Sequence, residues 1–308
     1  MRIFITGVSG LLGINAALQL KERHEVSGAY LTHPVKVPYV SAYPVDLSKA
    51  VAVEEIFRAK RPEVVLHTAG LTNVDACEAS PAEAKRLHVE VTRHVARAAK
   101  QVGARLVHIS TDHLSDGTKD FVTEESTPAP LNEYARTKWQ AEQVAEKECP
   151  GALIIRTNFF GWGTPVKKSF SDWILDGLRS GRMLTLFHDV YISPILINDL
   201  VDVIEELIQC KESGIFNVAS RDRISKFEFG MRLEKLFGRS PGAVLEPVSV
   251  GMIEGLAHRP LDMSLNTQKV ARLLGKPMPT VEAGLKRLKE LELQGWPELA
   301  YKSLLLLG

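Results

Sequence analysis

The sequence predicts an α/β protein, a doubly wound parallel sheet with a smaller, mostly helical C-terminal lobe. Two observations carry this. Short apolar runs of strand length alternate with longer helical patterns through residue 157, as βαβ units do. After Asn158 the alternation loosens, and glycine, proline, aromatic and basic residues interleave. Composition sets the outer bounds. Of 308 residues, 45% are hydrophobic and 24% charged, which excludes a disordered or fibrous chain. Lys plus Arg number 38 and Asp plus Glu 37, so no net basic field exists to gather nucleic acid. The three cysteines, Cys77, Cys149 and Cys210, are too scattered for a disulfide framework and form no CxxC. A reducing, cytoplasmic compartment is expected.

The elements follow in order. Arg2–Thr6 (RIFIT) reads as a buried strand and Leu11–Lys21 as a helix. Residues 3–20 are uncharged, but Gly7, Gly10 and Gly13 interrupt them and Thr6, Ser9, Asn15 and Gln19 are polar, so strand, turn and buried helix fit better than a leader or membrane span. Val26–Leu31 is a second strand. Ser48 is expected to cap a helix to about Ala59, and Val64–His67 is a third strand. Ser80-Pro81 opens a long amphipathic helix, with Ala84, Leu87, Val91, Val95 and Ala98 at helical spacing. Leu106–Ile109 is a strand, Asn132 caps a helix through Lys147, and Ala152–Arg156 is a strand again. A helix at Asn198–Gln209 and a strand at Ile215–Val218 return to the sheet. The expected division is 1–157 with 189–220 for the sheet domain, and 158–188 with 221–308 for the second lobe. Leu304–Leu307 forms an apolar tail that would dock on the body or on a second subunit of a homodimer.

The turn after the first strand reads Gly7-Val8-Ser9-Gly10-Leu11-Leu12-Gly13, or GxxGxxG. In a Rossmann unit the first glycine permits the tight turn, the second admits a pyrophosphate, and the third lets helix and strand pack closely. The free N–H groups of the helix start then face the phosphates. A plain glycine-rich turn is the alternative, and position between strand and helix decides against it. An acid at the end of the second strand would hold the ribose of NAD. Here Tyr30-Leu31 is followed by Thr32 and His33, with Lys36 close behind, so NADP(H) is expected over NAD(H). Asp46, before Leu47, stands where a strand end meets the adenine, or else opens the next helix.

Of six tyrosines only Tyr134 has lysine four positions on, at Lys138. An exposed helix pair is the bland explanation. The chemical one is that a ketone accepting hydride needs a proton on its oxygen, and an ammonium beside a phenol lowers its pKa. Ser110-Thr111-Asp112 ends the Leu106–Ile109 strand and offers a hydroxyl to hold the carbonyl oxygen. No HExxH, zinc spacing or GxSxG elbow is present, so metal and serine-nucleophile chemistries have no motif. His88 and His94, six apart on one helix, read as packing or surface residues.

Together TGxxGxxG, His67-Thr68-Ala69-Gly70, Ser110-Thr111-Asp112 and Tyr134xxxLys138 resemble the extended short-chain dehydrogenase/reductases. PAPLNEYARTK, Asp116-Gly117, Arg156-Thr157 and the Arg259-Pro260 to Leu265-Asn266-Thr267 stretch are similar to the dTDP-4-dehydrorhamnose reductases among them. The resemblance is dense through residue 157 and patchy afterwards. It implies that Tyr134 is the proton donor, that Lys138 holds the nicotinamide ribose and lowers the tyrosine pKa, and that Thr111 bonds the substrate oxygen with Asp112 beside it. Ala69 and Gly70 would lie against the cofactor. NADPH would reduce the 4-keto group of a nucleotide-linked 4-keto-6-deoxysugar. Lys167, Lys168, Arg179, Arg182 and Arg259 are candidate cations for a diphosphate, and Trp162 for stacking on base or sugar.

The departures bear on the substrate. After Ser-Thr-Asp the family continues Tyr-Val-Phe, and this chain has His113-Leu114-Ser115. Asn158 takes the place of a tryptophan, and His88 that of an asparagine. Two rival readings follow: a nucleotide-sugar epimerase or dehydratase with tightly held NAD, and a non-catalytic NADP-binding regulatory subunit.

Overall fold

The computed structural model describes residues 1–304. Its centre is a seven-stranded, wholly parallel sheet, and the expected doubly wound Rossmann architecture is present. The first half supplies β1 (Arg2–Thr6), α1 (Leu11–Leu20), β2 (Glu25–Tyr30), β3 (Val40–Pro44), α2 (Ala50–Lys60), β4 (Val64–His67) and α3 (Val74–Ala79). Next come α4 (Pro81–Lys85), a π turn at Arg86–Glu90, α5 (Val91–Gln101), β5 (Arg105–Ile109), α6 (Glu133–Glu148) and β6 (Leu153–Arg156). After β7 (Phe159–Phe160), α7 (Phe170–Arg179), β8 (Met183–Phe187), β9 (Tyr191–Ile192) and β10 (Ile195–Leu196), α8 (Ile197–Gln209) leads back to β11 (Gly214–Asn217). The strand order is β11-β6-β5-β4-β1-β2-β3. The remainder is β12 (Ile224–Ser225), α9 (Lys226–Phe237), β13 (Val244–Val248), α10 (Gln268–Leu274), α11 (Val281–Leu293) and α12 (Trp296–Lys302).

Parallel strands covered on both faces should be apolar throughout, and β4 (VVLH) and β6 (LIIR) are buried at every position. One face carries α1 and α8, with Ile5, Leu12, Leu66, Leu153 and Leu200 in one core. The other carries α2, α5 and α6 over Phe4, Phe57, Val65 and Leu106. The uncharged character of α1 has a simple cause: eight of its ten residues are buried. A separate core around Phe160, Trp162, Leu186, Phe229 and Leu285 holds the second lobe, where β8 pairs with β13.

Three expectations change. The sequence shows no strand at Val40–Pro44, because β3 is an edge strand whose residues are all half-buried or exposed and so lack an apolar run. Ser48 does not cap α2. Its hydroxyl donates to Asp46 Oδ1 at 2.7 Å, and Lys49 occupies the capping position with no side-chain bond. The long helix from Ser80 is interrupted by the π turn, and Ser80 makes no capping bond. Asn132 does cap α6, its side chain accepting from the Ala135 amide at 2.9 Å. Leu304 is buried and bridges to Val35, while Leu305–Leu307 of the apolar tail lie outside the described residues. Among the described residues no helix is long and apolar enough to cross a membrane.

Candidate active site

Parallel strands direct their C-terminal ends to one edge of a sheet, and ligand crevices form there. In this chain a cleft of about 570 Å³ opens at that edge, between the turns after β1, β4 and β5, the start of α6 and the loop leading into α7. It is lined by Ser9, Gly10, Leu11 and Leu12, by His33, by Ala69 and Gly70, and by Thr111, Asp112, Tyr134, Lys138 and Asn158. A larger hollow of about 710 Å³ between α1, α8, α11 and α12 mixes Lys21, Glu22, Asp202 and Arg287 and lacks such a constellation.

The glycine turn is shaped to admit a large group. Gly7 has φ +67°, and a side chain there would press on the Ala69 backbone at 3.0 Å. A Cβ on Gly13 would lie 2.2 Å from the Gly7 carbonyl, so strand and helix touch because this residue is glycine. Gly10 precedes α1 without a side-chain cap, and the first amides of the helix have no partner inside it. Thr6 braces the turn from β1. Its hydroxyl bonds His67 Nδ1 at 2.7 Å, and its carbonyl accepts from Thr68 Oγ1 at 2.7 Å. A dinucleotide pyrophosphate fits these groups, with Ala69 and Gly70 forming the adjoining wall.

Tyr134 lies in the first turn of α6, fixed by the Asn132 cap. Two imidazoles meet its ring edge-on, His88 at 5.6 Å and His113 at 5.4 Å. Burial pushes the phenol up to about 12, opposed by contact with the Thr111 side chain and reinforced by the charge of Asp112. The lysine was expected to lower this pKa. Here Lys138 Nζ donates to the Ile109 carbonyl at 2.6 Å, burial brings its own pKa down to about 8, and desolvation of the phenol prevails. A phenol in this state is protonated at neutral pH, as a proton donor must be.

Asp112 is buried, with its Oδ2 accepting from Asn158 Nδ2 at 2.7 Å and its Oδ1 from the Thr111 hydroxyl at 3.3 Å. Burial outweighs those bonds and raises its pKa to about 6. The folded protein therefore holds this proton more tightly than the unfolded chain. The associated stability is complete at low pH and is lost as pH rises through about 6. Asp112→Asn is expected to leave stability unchanged at about pH 3 and to raise it at about pH 8, by up to about 3 kcal/mol. Thermal unfolding at the two pH values checks this, and equal shifts at both would contradict it.

Most of the other expected site residues lie elsewhere. Lys36 lines the larger hollow, and its amide donates to the Ser303 carbonyl. Thr32 bonds His33 across an exposed turn. Asp46 is occupied by Ser48, and Leu47 sits in the core beside α2. Trp162 does not line the cleft. Its indole is packed in the second lobe and donates to the Leu288 carbonyl at 3.0 Å. Arg259 pairs with Asp75 at 2.7 Å. Lys167 and Lys168 do line the cleft, bonded to Thr72 and paired with Asp176 respectively, whereas Arg179 pairs with Glu292. Of the altered triplet, only His113 lines the cleft, since Leu114 is buried and Ser115 bonds the Asp262 carbonyl.

Sequence reasoning missed His88 as a site neighbour. The π turn swings it between helices, where Nδ1 meets Thr137 Oγ1 at 2.8 Å and Nε2 the Leu71 carbonyl at 2.7 Å. The one signal was its place in a position normally held by asparagine. Lys226, near Asp112 and His113, was also missed, and its local sequence marks only a helix start.

The family described as the RmlD substrate binding domain matches residues 1–292. The chain belongs to this family. The probable low-salt glycan biosynthesis reductase Agl14 of Haloferax volcanii is 29% identical over 295 residues, 94% of this chain and 97% of that protein. Methionine adenosyltransferase 2 subunit beta of Pongo abelii is 27% identical over 288 residues, covering 90% and 84%. The crystal structure of dTDP-4-dehydrorhamnose reductase from Bacillus anthracis in complex with NADP is 26% identical, with a TM-score of 0.83 and coverage of 94% and 98%. The family is one of NAD(P)-dependent oxidoreductases, and the fold agrees with it over nearly the whole length.

Proposed function

We propose that this chain is an NADPH-preferring reductase of the 4-keto group of a nucleotide-linked deoxysugar, with dTDP-4-dehydrorhamnose as the reference substrate. The observation that carries the reading is the meeting, on one cleft, of the glycine turn with Tyr134, Thr111 and Lys138. NADPH, when bound, supplies the hydride. The turn at Gly7–Gly13 would hold its pyrophosphate, and Lys138 the ribose next to the reacting carbon. Thr111 orients the carbonyl oxygen through its hydroxyl. Tyr134 gives its phenolic proton to that oxygen as charge develops there, since an alkoxide is a stronger base than a phenolate. Asp112, bonded to Thr111 and Asn158, fixes the threonine. The stretch 158–188 with the chain beyond 221 is assigned to the sugar nucleotide.

The cofactor preference rests on the absence of an acid after β2 and on His33 at the cleft. His33→Glu should repel the 2′-phosphate and cut the preference for NADPH over NADH by roughly tenfold, ~1.4 kcal/mol. Fluorescence titration with both cofactors tests it, and an unchanged ratio would contradict it. The reduction itself is tested by mixing the protein with NADPH and dTDP-4-keto-6-deoxy-L-mannose and following NADPH loss. A second reading, a regulatory subunit that binds NADP without turnover, is favoured by the similarity to methionine adenosyltransferase 2 subunit beta. NADPH binding without consumption would support it.

A further inference from the structure

Lys226 stands at the first position of α9, whose start is fixed by a capping box between Ser225 and Glu228. Its side chain is half-buried against the lobe. The ammonium lies 5.9 Å from the centroid of the Phe170 ring and 5.6 Å from that of Phe187. Phe170 in turn lines the catalytic cleft. Among the described residues Lys226 Nζ has neither a hydrogen-bond acceptor nor an ion-pair partner. The charges that reach it are Asp112, which attracts, and Arg259, which repels. Asp112 is itself engaged by Asn158 and Thr111.

This sets Lys226 apart from the cations the sequence offered for a diphosphate, of which Arg182 is exposed and bonds Ser180 at 2.9 Å. Lys167 donates to Thr72 at 2.6 Å, Lys168 is paired with Asp176, Arg179 with Glu292 and Arg259 with Asp75. A half-buried ammonium beside two π faces keeps part of its attraction, but no protein oxygen among the described residues accepts from it. An arriving oxyanion would supply that acceptor, and the bond it forms is charge-assisted. We infer that Lys226 binds an oxyanion of the substrate at the lobe side of the cleft, either the diphosphate linkage or a carboxylate on the sugar. This rests on the reading above that the substrate is a nucleotide-linked keto-sugar, and the carboxylate arm would make that sugar an acidic one in place of a 6-deoxysugar. It makes Lys226 a specificity-determining residue.

The test is calorimetric binding to the intact protein with two probes, dTDP alone and D-glucuronate added to the dTDP complex. Wild type is compared with Lys226→Met, which keeps the stem and removes the charge, and with Lys226→Arg, which keeps the charge. Thermal unfolding and NADPH affinity serve as controls for folding. The expected result is at least a tenfold loss of affinity for one probe in Lys226→Met and substantial recovery in Lys226→Arg. Loss for dTDP assigns the diphosphate, and loss for glucuronate assigns a sugar carboxylate. Equal binding of both probes by wild type and Lys226→Met would overturn the inference while leaving the reductase reading intact. A wild type that binds neither probe would remove the sugar-nucleotide reading and this inference with it.

Discussion

Tyr134→Phe is expected to lower the turnover of the keto-sugar by about 10²–10⁴-fold, the range that a positioned proton donor contributes. NADPH affinity should change by no more than about twofold. The two effects separate because the phenol is directed at Thr111 and the space in front of it, while the glycine turn and Lys138 are left in place. Phe keeps the ring, and with it the edge-on contacts to His88 and His113. The loss is therefore chemical. It should appear in kcat and in kcat/KM together, as for an interaction made only in the transition state. Stopped-flow mixing of NADPH-loaded protein with the keto-sugar reads it. Wild-type kcat in this variant would exclude Tyr134 as the donor.

The largest effect on stability is expected at Glu142. Its carboxylate accepts two parallel bonds from Arg156, Nε to Oε1 at 3.0 Å and Nη2 to Oε2 at 2.8 Å, and both side chains are buried, 4% and 7% exposed. Removing one partner strands the other charge in the interior. Glu142→Ala is expected to cost about 3–5 kcal/mol, whereas replacing both by apolar residues of similar volume should recover most of it. Urea unfolding of the single and double variants decides the matter. A single variant within about 0.5 kcal/mol of wild type, the range of an ordinary surface substitution, would contradict the account. Glu142 also reaches the site. It lies one helical turn beyond Lys138, and its charge holds up a lysine pKa that burial brings down to about 8. Stability and site electrostatics meet in this one carboxylate.

Much of this was legible in the sequence, and the reasons are physical. Buried parallel strands must be apolar on both faces, so RIFIT and VVLH announce themselves. The glycine spacing is legible because phosphate approach and strand–helix contact exclude side chains, as the 2.2 Å clash built at Gly13 demonstrates. Tyr134 and Lys138 share a helix face at i and i+4. What was not legible depends on tertiary placement. An edge strand such as β3 buries too little to leave a pattern. The π turn that delivers His88 to Tyr134 has no composition signal. Arg259 and Trp162 are of residue types suited to a substrate, but Asp75 and the lobe core take them. Lys226 carries no local mark, because its unmatched charge is set by Phe170, Phe187 and Asp112, all distant in sequence. The lysine's effect on Tyr134 was misjudged for the same reason: desolvation is a property of the fold.

The central claim is hydride transfer to a sugar carbonyl, and isotope transfer measures it most directly. NADPH deuterated at the transferable position of the nicotinamide would be incubated with the protein and dTDP-4-keto-6-deoxy-L-mannose, and the product analysed by mass spectrometry and NMR. The account predicts one deuterium at the former carbonyl carbon, formed in wild type and nearly absent with Tyr134→Phe. Bound NADPH that keeps its deuterium in the presence of this sugar and of other nucleotide-linked 4-keto sugars would contradict it.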